Sequence, residues 1–208
     1  MMDMEDKGTM LFYNEHADEY FANTVHADMS VAYEKFISYL RSGGRIVDLG
    51  AGSGRDIAYF LKKGYMVDGI DASSELCLLA SKYFGVVVRC QTIQDWEAEK
   101  IYDGIWANAS LLHLKQKEMI QFLQRAVRYL SDTGVMYISL KSGIRTGTDH
   151  EGRYFVNYSM EEVQQIVEKS TTFNIVEQWT SGDSLARDGF LWINLILKKA
   201  VFQEGTCN

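Results

Sequence analysis

The sequence contains no proline and only three cysteines among 208 residues. The cysteines, Cys77, Cys90 and Cys207, are odd in number and have no C-x-x-C spacing, so they predict neither a disulfide framework nor a zinc site. We expect two buried apolar thiols and one thiol in a loose tail. The histidines have no metal-like spacing either, so no metal site is expected.

Long apolar runs and clustered positive charge are also missing. No run approaches the ~20 residues that a transmembrane helix needs, and the acidic start is unlike a secretion signal, so we expect a cytoplasmic protein without membrane association. The net charge is −7, and the longest basic clusters are pairs such as Lys62-Lys63. Because proteins that bind nucleic acid neutralise phosphates with cations, a small-molecule partner is favoured over a nucleic acid.

A glycine-rich segment, Gly50-Ala51-Gly52-Ser53-Gly54, directly follows the apolar run Arg45 to Leu49, and a second apolar run ends at Asp71. This order predicts a strand, a glycine turn, a helix, a second strand and a carboxylate. Together they indicate a pocket for an adenosine-containing ligand, whose ribose hydroxyls Asp71 can bind. The spacing is G-x-G-x-G, and Arg55 stands where a dinucleotide fingerprint has its third glycine. No phosphate-binding G-x-x-x-x-G-K-[ST] loop occurs.

Helix-like and strand-like periods alternate along the rest of the chain. The run Val86 to Val88 predicts a third strand, and Ser159-x-x-Glu162 is a capping box that opens a helix. Two strand-like runs, Phe173 to Trp179 and Phe190 to Leu197, close the chain. Their connection is too short for a parallel crossover, so these two strands should be antiparallel.

Three segments resemble class I S-adenosylmethionine-dependent methyltransferases. The segment Asp48 to Gly54 matches the D-L-G-x-G-x-G part of motif I, Tyr13 to Tyr20 looks like the Y-x-x-x-A-x-x-Y helix of small-molecule members, and Trp106 to His113 looks like their motif IV. The chain is most similar to the tellurite-resistance-type and ubiquinone-biosynthesis-type families.

The resemblance implies an α/β fold. We expect a Rossmann-like, seven-stranded, mostly parallel sheet with helices on both faces and an antiparallel last strand. Residues 1–208 would form a single methyltransferase domain, with an N-terminal helical cap at 1–43, a Rossmann-like core at 44–200 and a tail at 201–208.

The resemblance also implies S-adenosylmethionine as cofactor, with S-adenosylhomocysteine as product. Asp71 would hold the ribose, Ala72 and Ile93 would border the adenine, and the Ala107 carbonyl would accept the methionine ammonium. Many relatives have Asp where Thr92 stands. The cofactor-binding residues implied are Asp48, Gly50, Ala51, Gly52, Gly54, Arg55, Asp71, Ala72, Thr92, Ile93, Gln94, Ala107 and Leu112.

The methyl acceptor would meet a different set of residues. His113 is the candidate general base, needed only where the acceptor loses a proton, although a histidine flanked by leucines is more often structural. Tyr13 and Tyr20, seven apart on one helix face, are either packing residues or substrate contacts. Arg153 and Arg187 are candidates for binding an anionic group, and the connection Lys141 to Tyr158 is either a lid or a surface loop.

The absent prolines narrow the acceptor further. Amino-group nucleic-acid methyltransferases usually carry [DNS]-P-P-[YFW] after strand four, and Asn108-Ala109-Ser110-Leu111 stands there instead, which favours a small-molecule acceptor. The alternative is a non-catalytic sensor or partner domain that binds S-adenosylmethionine or S-adenosylhomocysteine, because a fold does not fix a function. A nicotinamide-dependent enzyme is a third, more distant hypothesis. A monomer or a homodimer is expected.

Overall fold

The computed structural model describes residues 4–143, 146–185, 189 and 191–200. Seven α-helices are found there: α1 (Met4–Glu15), α2 (Ala17–Thr24), α3 (Ser30–Ile37), α4 (Arg55–Lys62), α5 (Ser74–Phe84), α6 (Gln116–Ala126) and α7 (Met160–Ser170). The strands of the same residues are β1 (Arg45–Leu49), β2 (Met66–Asp71), β3 (Val88–Cys90), β4 (Tyr102–Asn108), β5 (Leu130–Lys141), β6 (Gly147–Thr148), β7 (Tyr154–Phe155), β8 (Phe173–Gly182) and β9 (Leu191–Lys199). Short 3₁₀ helices occupy Leu111–His113 and Val127–Tyr129.

Seven of the strands form one sheet in the order β3-β2-β1-β4-β5-β9-β8. The first five pair in parallel, whereas β9 is antiparallel to both β5 and β8. This arrangement confirms the predicted sheet, including its reversed last strand. Strand order changes direction between β1 and β4, and parallel sheets bind ligands at the carboxyl ends of the strands that flank such a point.

Alternate residues of the central strands pack against opposite faces of the sheet. Ile105 of β4 and Met136 of β5 belong to the hydrophobic cluster that includes helices α6 and α7. Their neighbours Trp106 and Tyr137 belong to a second cluster with residues of α3 and α4, and their rings stack 4.0 Å apart. Because strand side chains alternate with a period of two, these central strands are buried on both sides, and helices cover both faces.

Local sequence signals explain several element ends. The Ser159 hydroxyl accepts the Glu162 N–H while the Glu162 carboxylate accepts the Ser159 N–H, which confirms the predicted capping box at α7. Gly85, in the left-handed conformation with φ +67°, ends α5. Such positive φ angles carry little penalty for glycine.

Three predictions were wrong in detail. The N-terminal motif is not one helix: the chain bends at His16, so Tyr13 lies on α1 and Tyr20 on α2. The third strand begins at Val88, and Val87 is 80% exposed, because that end of β3 lies at the edge of the sheet. Cys77 is buried as expected, but Cys90 is exposed. The tail at 201–208, including Cys207, lies outside the described residues.

Across the part of the chain that the structure describes, no helix is long and apolar enough to cross a membrane. Within the same residues, no group of three or more His, Cys, Asp or Glu side chains is placed to hold a metal ion.

Candidate functional site

Two adjoining cavities open at the carboxyl edge of the sheet. The larger has a volume of about 630 Å³ and the smaller about 120 Å³. They share six lining residues from α1, α2, the glycine loop and the end of β4, namely Tyr13, Tyr20, Gly50, Gly52, Asn108 and Ala109. The cavities therefore meet beside the point at which the strand order reverses.

The glycine loop forms the wall where the two cavities join. Gly50 and Gly52 have φ angles of +78° and +53°, a region that other residues rarely adopt. A Cβ on Gly50 would lie 2.5 Å from Ser110 Cβ, and one on Gly52 would lie 3.4 Å from the Tyr20 ring. The Gly50 N–H donates to the Ile70 carbonyl at 2.9 Å. Both glycines are thus needed for the path of the backbone, and Gly50 is also needed for the space beside it.

Three of the residues proposed for cofactor binding lie behind this wall rather than on it. Gly54 begins α4 with φ +78°, and a Cβ there would lie 2.7 Å from Ala80 Cβ, so it permits the close packing of α4 on α5. Ala107 is fully buried within β4. Asp48 is also buried, and its Oδ2 has no hydrogen-bond partner among the described residues. Burial, reinforced by the nearby Asp56 carboxylate, raises the pKa of Asp48.

Asp71 connects the glycine loop to the smaller cavity. Its Oδ2 accepts the Gly52 N–H at 2.7 Å, and its Oδ1 accepts the Ser73 N–H at 2.8 Å. Burial raises the pKa of this carboxyl, against the backbone hydrogen bonds that lower it. The carboxylate lines the smaller cavity with Ala72 and Leu76. One side chain therefore fixes the loop and faces the space that the loop encloses.

The opposite wall of the smaller cavity is the segment that follows β3. Thr92, Ile93 and Gln94 all line it. The Thr92 hydroxyl donates to Asp95 Oδ2 at 2.8 Å, so a carboxylate lies three residues beyond the position at which many relatives carry one. Arg125, which sequence reasoning missed, reaches from α6 and donates to the carbonyls of Ile93 at 2.8 Å and Gln94 at 3.0 Å. The segment is therefore held by a cation from a distant helix.

His113 and Tyr13 form a pair at the smaller cavity. His113 Nδ1 lies 2.6 Å from the Tyr154 carbonyl, which can only accept, so Nδ1 carries the proton of the neutral ring. Nε2 then accepts from the Tyr13 hydroxyl at 3.3 Å. Burial lowers the pKa of His113 to about 4, and burial with the nearby Tyr20 raises the pKa of Tyr13. Both side chains are therefore uncharged at neutral pH.

The floor of the larger cavity contains a buried carboxylate, Asp56, that sequence reasoning also missed. It accepts hydrogen bonds from the Tyr33 hydroxyl, from Trp106 Nε1 at 2.8 Å and from Asn108 Nδ2 at 3.1 Å, and it pairs with Arg55 Nε at 2.6 Å. Burial alone would raise the pKa of Asp56, but Arg55 and these donors hold it below its usual value. Arg55, which was predicted to bind the cofactor, is thus paired with Asp56 and lines the larger cavity rather than the smaller one.

Arg153 lines the larger cavity with its charge already paired. Its Nε donates to Asp149 Oδ2 at 3.0 Å, its guanidinium also pairs with Glu151, and it lies 4.3 Å from the centre of the Phe12 ring. A paired guanidinium attracts a further anion less strongly than a free one does. Arg187 lies outside the described residues.

The described part of the connection 141–158 is a small hairpin, β6 and β7, packed over the site. The Tyr154 N–H donates to the Thr9 hydroxyl on α1 at 3.0 Å, and the Val156 N–H donates to the Leu112 carbonyl at 2.8 Å. Leu112 itself lines the larger cavity. Of the two alternatives, a cover over the cavities therefore fits this hairpin better than a loose surface loop.

The far wall of the larger cavity comes from β5, β8 and β9. Trp179 and Trp192 line it together with Asn194 and Ser139. The Ser139 hydroxyl donates to Asn108 Oδ1 at 2.8 Å, and Asn194 Oδ1 accepts from the buried Tyr137 hydroxyl at 2.7 Å. Sequence reasoning did not identify Trp192, Asn194 or Ser139, because the strands that carry them come together only in the sheet.

Comparison with known proteins agrees with this geometry. Residues 46–134 match a family described as a methyltransferase domain. A protein of Staphylococcus carnosus named an uncharacterized methyltransferase is 25% identical over 136 residues, which cover 62% of this chain and 66%, just under two thirds, of that protein.

Solved structures share the fold. A Burkholderia thailandensis 1,6-didemethyltoxoflavin-N1-methyltransferase, solved with 1,6-didemethyltoxoflavin and S-adenosylhomocysteine, has a TM-score of 0.75 at 21% identity over 97% of this chain and 92% of its own. A TehB-like S-adenosylmethionine-dependent methyltransferase from Corynebacterium glutamicum has a TM-score of 0.67 at 15% identity over 89% of this chain and 99% of its own. The predicted Rossmann-like architecture is confirmed.

Proposed function

We propose that this chain, which carries a methyltransferase domain over residues 46–134, transfers a methyl group from S-adenosylmethionine to a small-molecule acceptor. The observation that supports this most directly is the glycine loop, which Asp71 holds at the junction of the two cavities. The smaller cavity is lined by the residues proposed for the adenosyl group, and the larger one by aromatic and amide side chains. The acceptor class follows the Burkholderia relative, whose name specifies a small heterocycle.

The residues of the smaller cavity fit an adenosyl group. A carboxylate oxygen accepts more than one hydrogen bond, so Asp71 can bind ribose hydroxyls while it still holds the Gly52 N–H. Leu76 and Ile93 offer apolar surface to an adenine ring from the two walls. Gly50, where a Cβ would lie 2.5 Å from Ser110 Cβ, lets Ser110 pack closely against the loop at the wall of this cavity. We propose that Ala72, Thr92 and Gln94 also border the adenine ring.

When bound, S-adenosylmethionine supplies a methyl group already activated by its sulfonium, so catalysis depends on alignment and exclusion of water. The chain's residues meet that need at the junction of the cavities. Tyr13 and Tyr20 lie edge to face there, 5.1 Å between ring centres, and both line the two cavities. We propose that they position the acceptor, and that the hairpin β6–β7 keeps water out.

We propose that His113 accepts a proton through Tyr13 when the acceptor must lose one. Tyr13 lines both cavities and its hydroxyl donates to His113 Nε2, so in this proposal a proton passes from the acceptor to the Tyr13 oxygen as Tyr13 releases its own. Since burial holds the pKa of His113 near 4, the imidazole is a weak base. It suits an acceptor whose own proton becomes strongly acidic as its oxygen or nitrogen takes up the methyl group and a positive charge.

The proposal also covers the division of the chain. Residues of α1 and α2 line the cavities, which supports 1–43 as a cap on a core at 44–200 within one domain. The cytoplasmic location, the choice between monomer and homodimer, and an anion-binding role for Arg187 stay predictions from the sequence.

Calorimetry on the purified protein tests the cofactor. We expect S-adenosylhomocysteine to bind and NAD to bind more weakly. Asp71→Asn removes charge-assisted acceptors and should weaken S-adenosylhomocysteine roughly 10- to 100-fold. Asp68→Asn is the matched control on the same strand, because Asp68 pairs with Lys100 at 3.1 Å and lines neither cavity. Tighter NAD binding, or equal losses in both variants, would overturn the assignment.

Transfer itself is tested with isotopically labelled S-adenosylmethionine and a panel of thiols, carboxylic acids and hydroxylated or nitrogen heterocycles. Label in any acceptor supports catalysis. Binding of S-adenosylhomocysteine without label in any acceptor of the panel would favour the non-catalytic sensor.

A further inference from the structure

Two thiols lie together behind the adenosine end of the smaller cavity. Cys77 is in the first turn of α5, and Cys90 ends β3 in register with Asp71. The Cys77 thiol donates to the Asp71 carbonyl and the Cys90 thiol to the Ala72 carbonyl, both at 3.7 Å. Both thiols therefore contact the backbone of the same two consecutive residues, Asp71 and Ala72, at the end of β2.

We propose that Cys77 and Cys90 form an oxidisable dithiol site that reacts with a hydroperoxide and closes to a disulfide, and that closing it weakens adenosyl-ligand binding. The second half of this inference rests on the proposed function; the first half does not. Neither cysteine lines a cavity, and the proposed methyl transfer uses neither of them.

Exposure decides which sulfur reacts first. Cys90 is exposed, whereas Cys77 is buried, and burial raises the pKa of the Cys77 thiol to about 12. An oxidant therefore reaches Cys90. Cys90 loses its thiol proton and the thiolate attacks the terminal peroxide oxygen. The O–O bond breaks, and the departing oxygen takes up the proton, so the products are a sulfenic acid and water or an alcohol.

The second step joins the two sulfurs. Cys77 attacks the Cys90 sulfenic sulfur, the S–O bond breaks, and the departing hydroxide takes the Cys77 proton as water. Both sulfurs are thereby oxidised and the peroxide is reduced, so no further reactant is needed. Because so little of Cys77 is thiolate at neutral pH, this step should be the slower one.

The disulfide changes the cavity through residues adjacent to each cysteine. Leu76 and Gln91 both line the smaller cavity, and each is the immediate neighbour of one of the two thiols. Bond formation holds the two sulfurs about 2.0 Å apart, which ties α5 to the end of β3. It also removes the S–H donors from the carbonyls of Asp71 and Ala72.

Peptide mapping tests the site itself. The protein is treated with hydrogen peroxide and digested with trypsin, which cuts after Lys63, Lys82, Arg89 and Lys100. We expect a cross-link between peptides 64–82 and 90–100, lost in Cys90→Ser and in Cys77→Ser and kept in Cys207→Ser. No cross-link between these peptides, or a Cys90 link to Cys207 or to a second chain in its place, would overturn the proposal.

Calorimetry with S-adenosylhomocysteine tests the consequence on the reduced, oxidised and re-reduced protein. Oxidation should raise the Kd of S-adenosylhomocysteine roughly threefold to tenfold. This is the change expected when hydrogen bonds are lost at the wall of the binding cavity. Dithiothreitol should restore the affinity, and Cys90→Ser should not respond to peroxide. Equal affinity of the oxidised and reduced forms would refute the coupling. A reduced protein that binds no S-adenosylhomocysteine refutes the proposed function instead, and the peptide map still decides the dithiol site.

Discussion

Replacing Gly50 by alanine tests whether the glycine loop has the role that the structure gives it. The alanine must adopt φ +78°, which costs about 1–2 kcal/mol for a residue with a Cβ. Its Cβ would also lie 2.5 Å from Ser110 Cβ, and relieving such an overlap costs about 1–3 kcal/mol. We expect the free energy of unfolding to fall by about 2–5 kcal/mol, and S-adenosylhomocysteine to bind at least roughly tenfold more weakly.

Gly64→Ala is the matched control. Gly64 has φ +87°, but a Cβ there would meet nothing within 4 Å, so this variant has the backbone cost without the collision. It should be destabilised by about 1–2 kcal/mol and bind ligand normally. A second test is Ser110→Gly in the Gly50→Ala background, because the two nearest atoms, Ser110 Cβ and Oγ, are then absent. We expect the double variant to regain about 1–3 kcal/mol.

Urea denaturation gives the stabilities, and calorimetry with S-adenosylhomocysteine gives the affinities. If Gly50→Ala were no less stable than Gly64→Ala and bound the ligand equally well, the close approach at Gly50 would have no functional meaning. If Ser110→Gly restored nothing, the collision would be the wrong explanation for the loss.

Three further outcomes are expected. Asp56→Ala leaves Arg55 without its buried carboxylate and should destabilise the fold by about 3 kcal/mol in urea; a loss below about 1 kcal/mol would contradict the network. The folded pKa of His113 is about 4, below the unfolded value, so from pH 6.5 down to 4 only the unfolded chain takes up the proton and stability falls. That loss, about 2 kcal/mol after allowance for partial exposure, should be absent in His113→Gln, and identical pH profiles would refute it. Arg125→Ala should raise the Kd of S-adenosylhomocysteine roughly threefold to tenfold, while the exposed Arg128→Ala should not, and equal affinities would show that Arg125 is dispensable.

Local patterns predicted the central fold because their causes are local. The apolar run of β1 and the G-x-G-x-G spacing identified a strand followed by a turn with positive φ, and Gly50, Gly52 and Gly54 all adopt such angles. The Ser159 capping box formed as predicted, since it needs only the neighbouring turn. The two final strands are antiparallel because their connection is short.

Patterns of the same kind failed where a partner from elsewhere decides the conformation. The motif with Tyr13 and Tyr20 reads as one helix, yet the chain bends at His16, and the two rings meet edge to face across the break. Cys90 looked like a core thiol, but it ends an edge strand of the sheet and is exposed. Neither outcome is encoded within a few residues of the side chain concerned.

The sequence by itself therefore determined the order of elements, the glycine loop and the carboxylate Asp71, because periodicity, backbone freedom and short connections act over a few residues. Only the tertiary structure decided that Asp56 accepts hydrogen bonds from Trp106 and Asn108, that Arg125 binds the segment after β3, and that Tyr13 pairs with His113. Each of these contacts joins residues more than thirty positions apart. Such pairs come together only when a whole sheet and its helices have packed, so no local pattern specifies them.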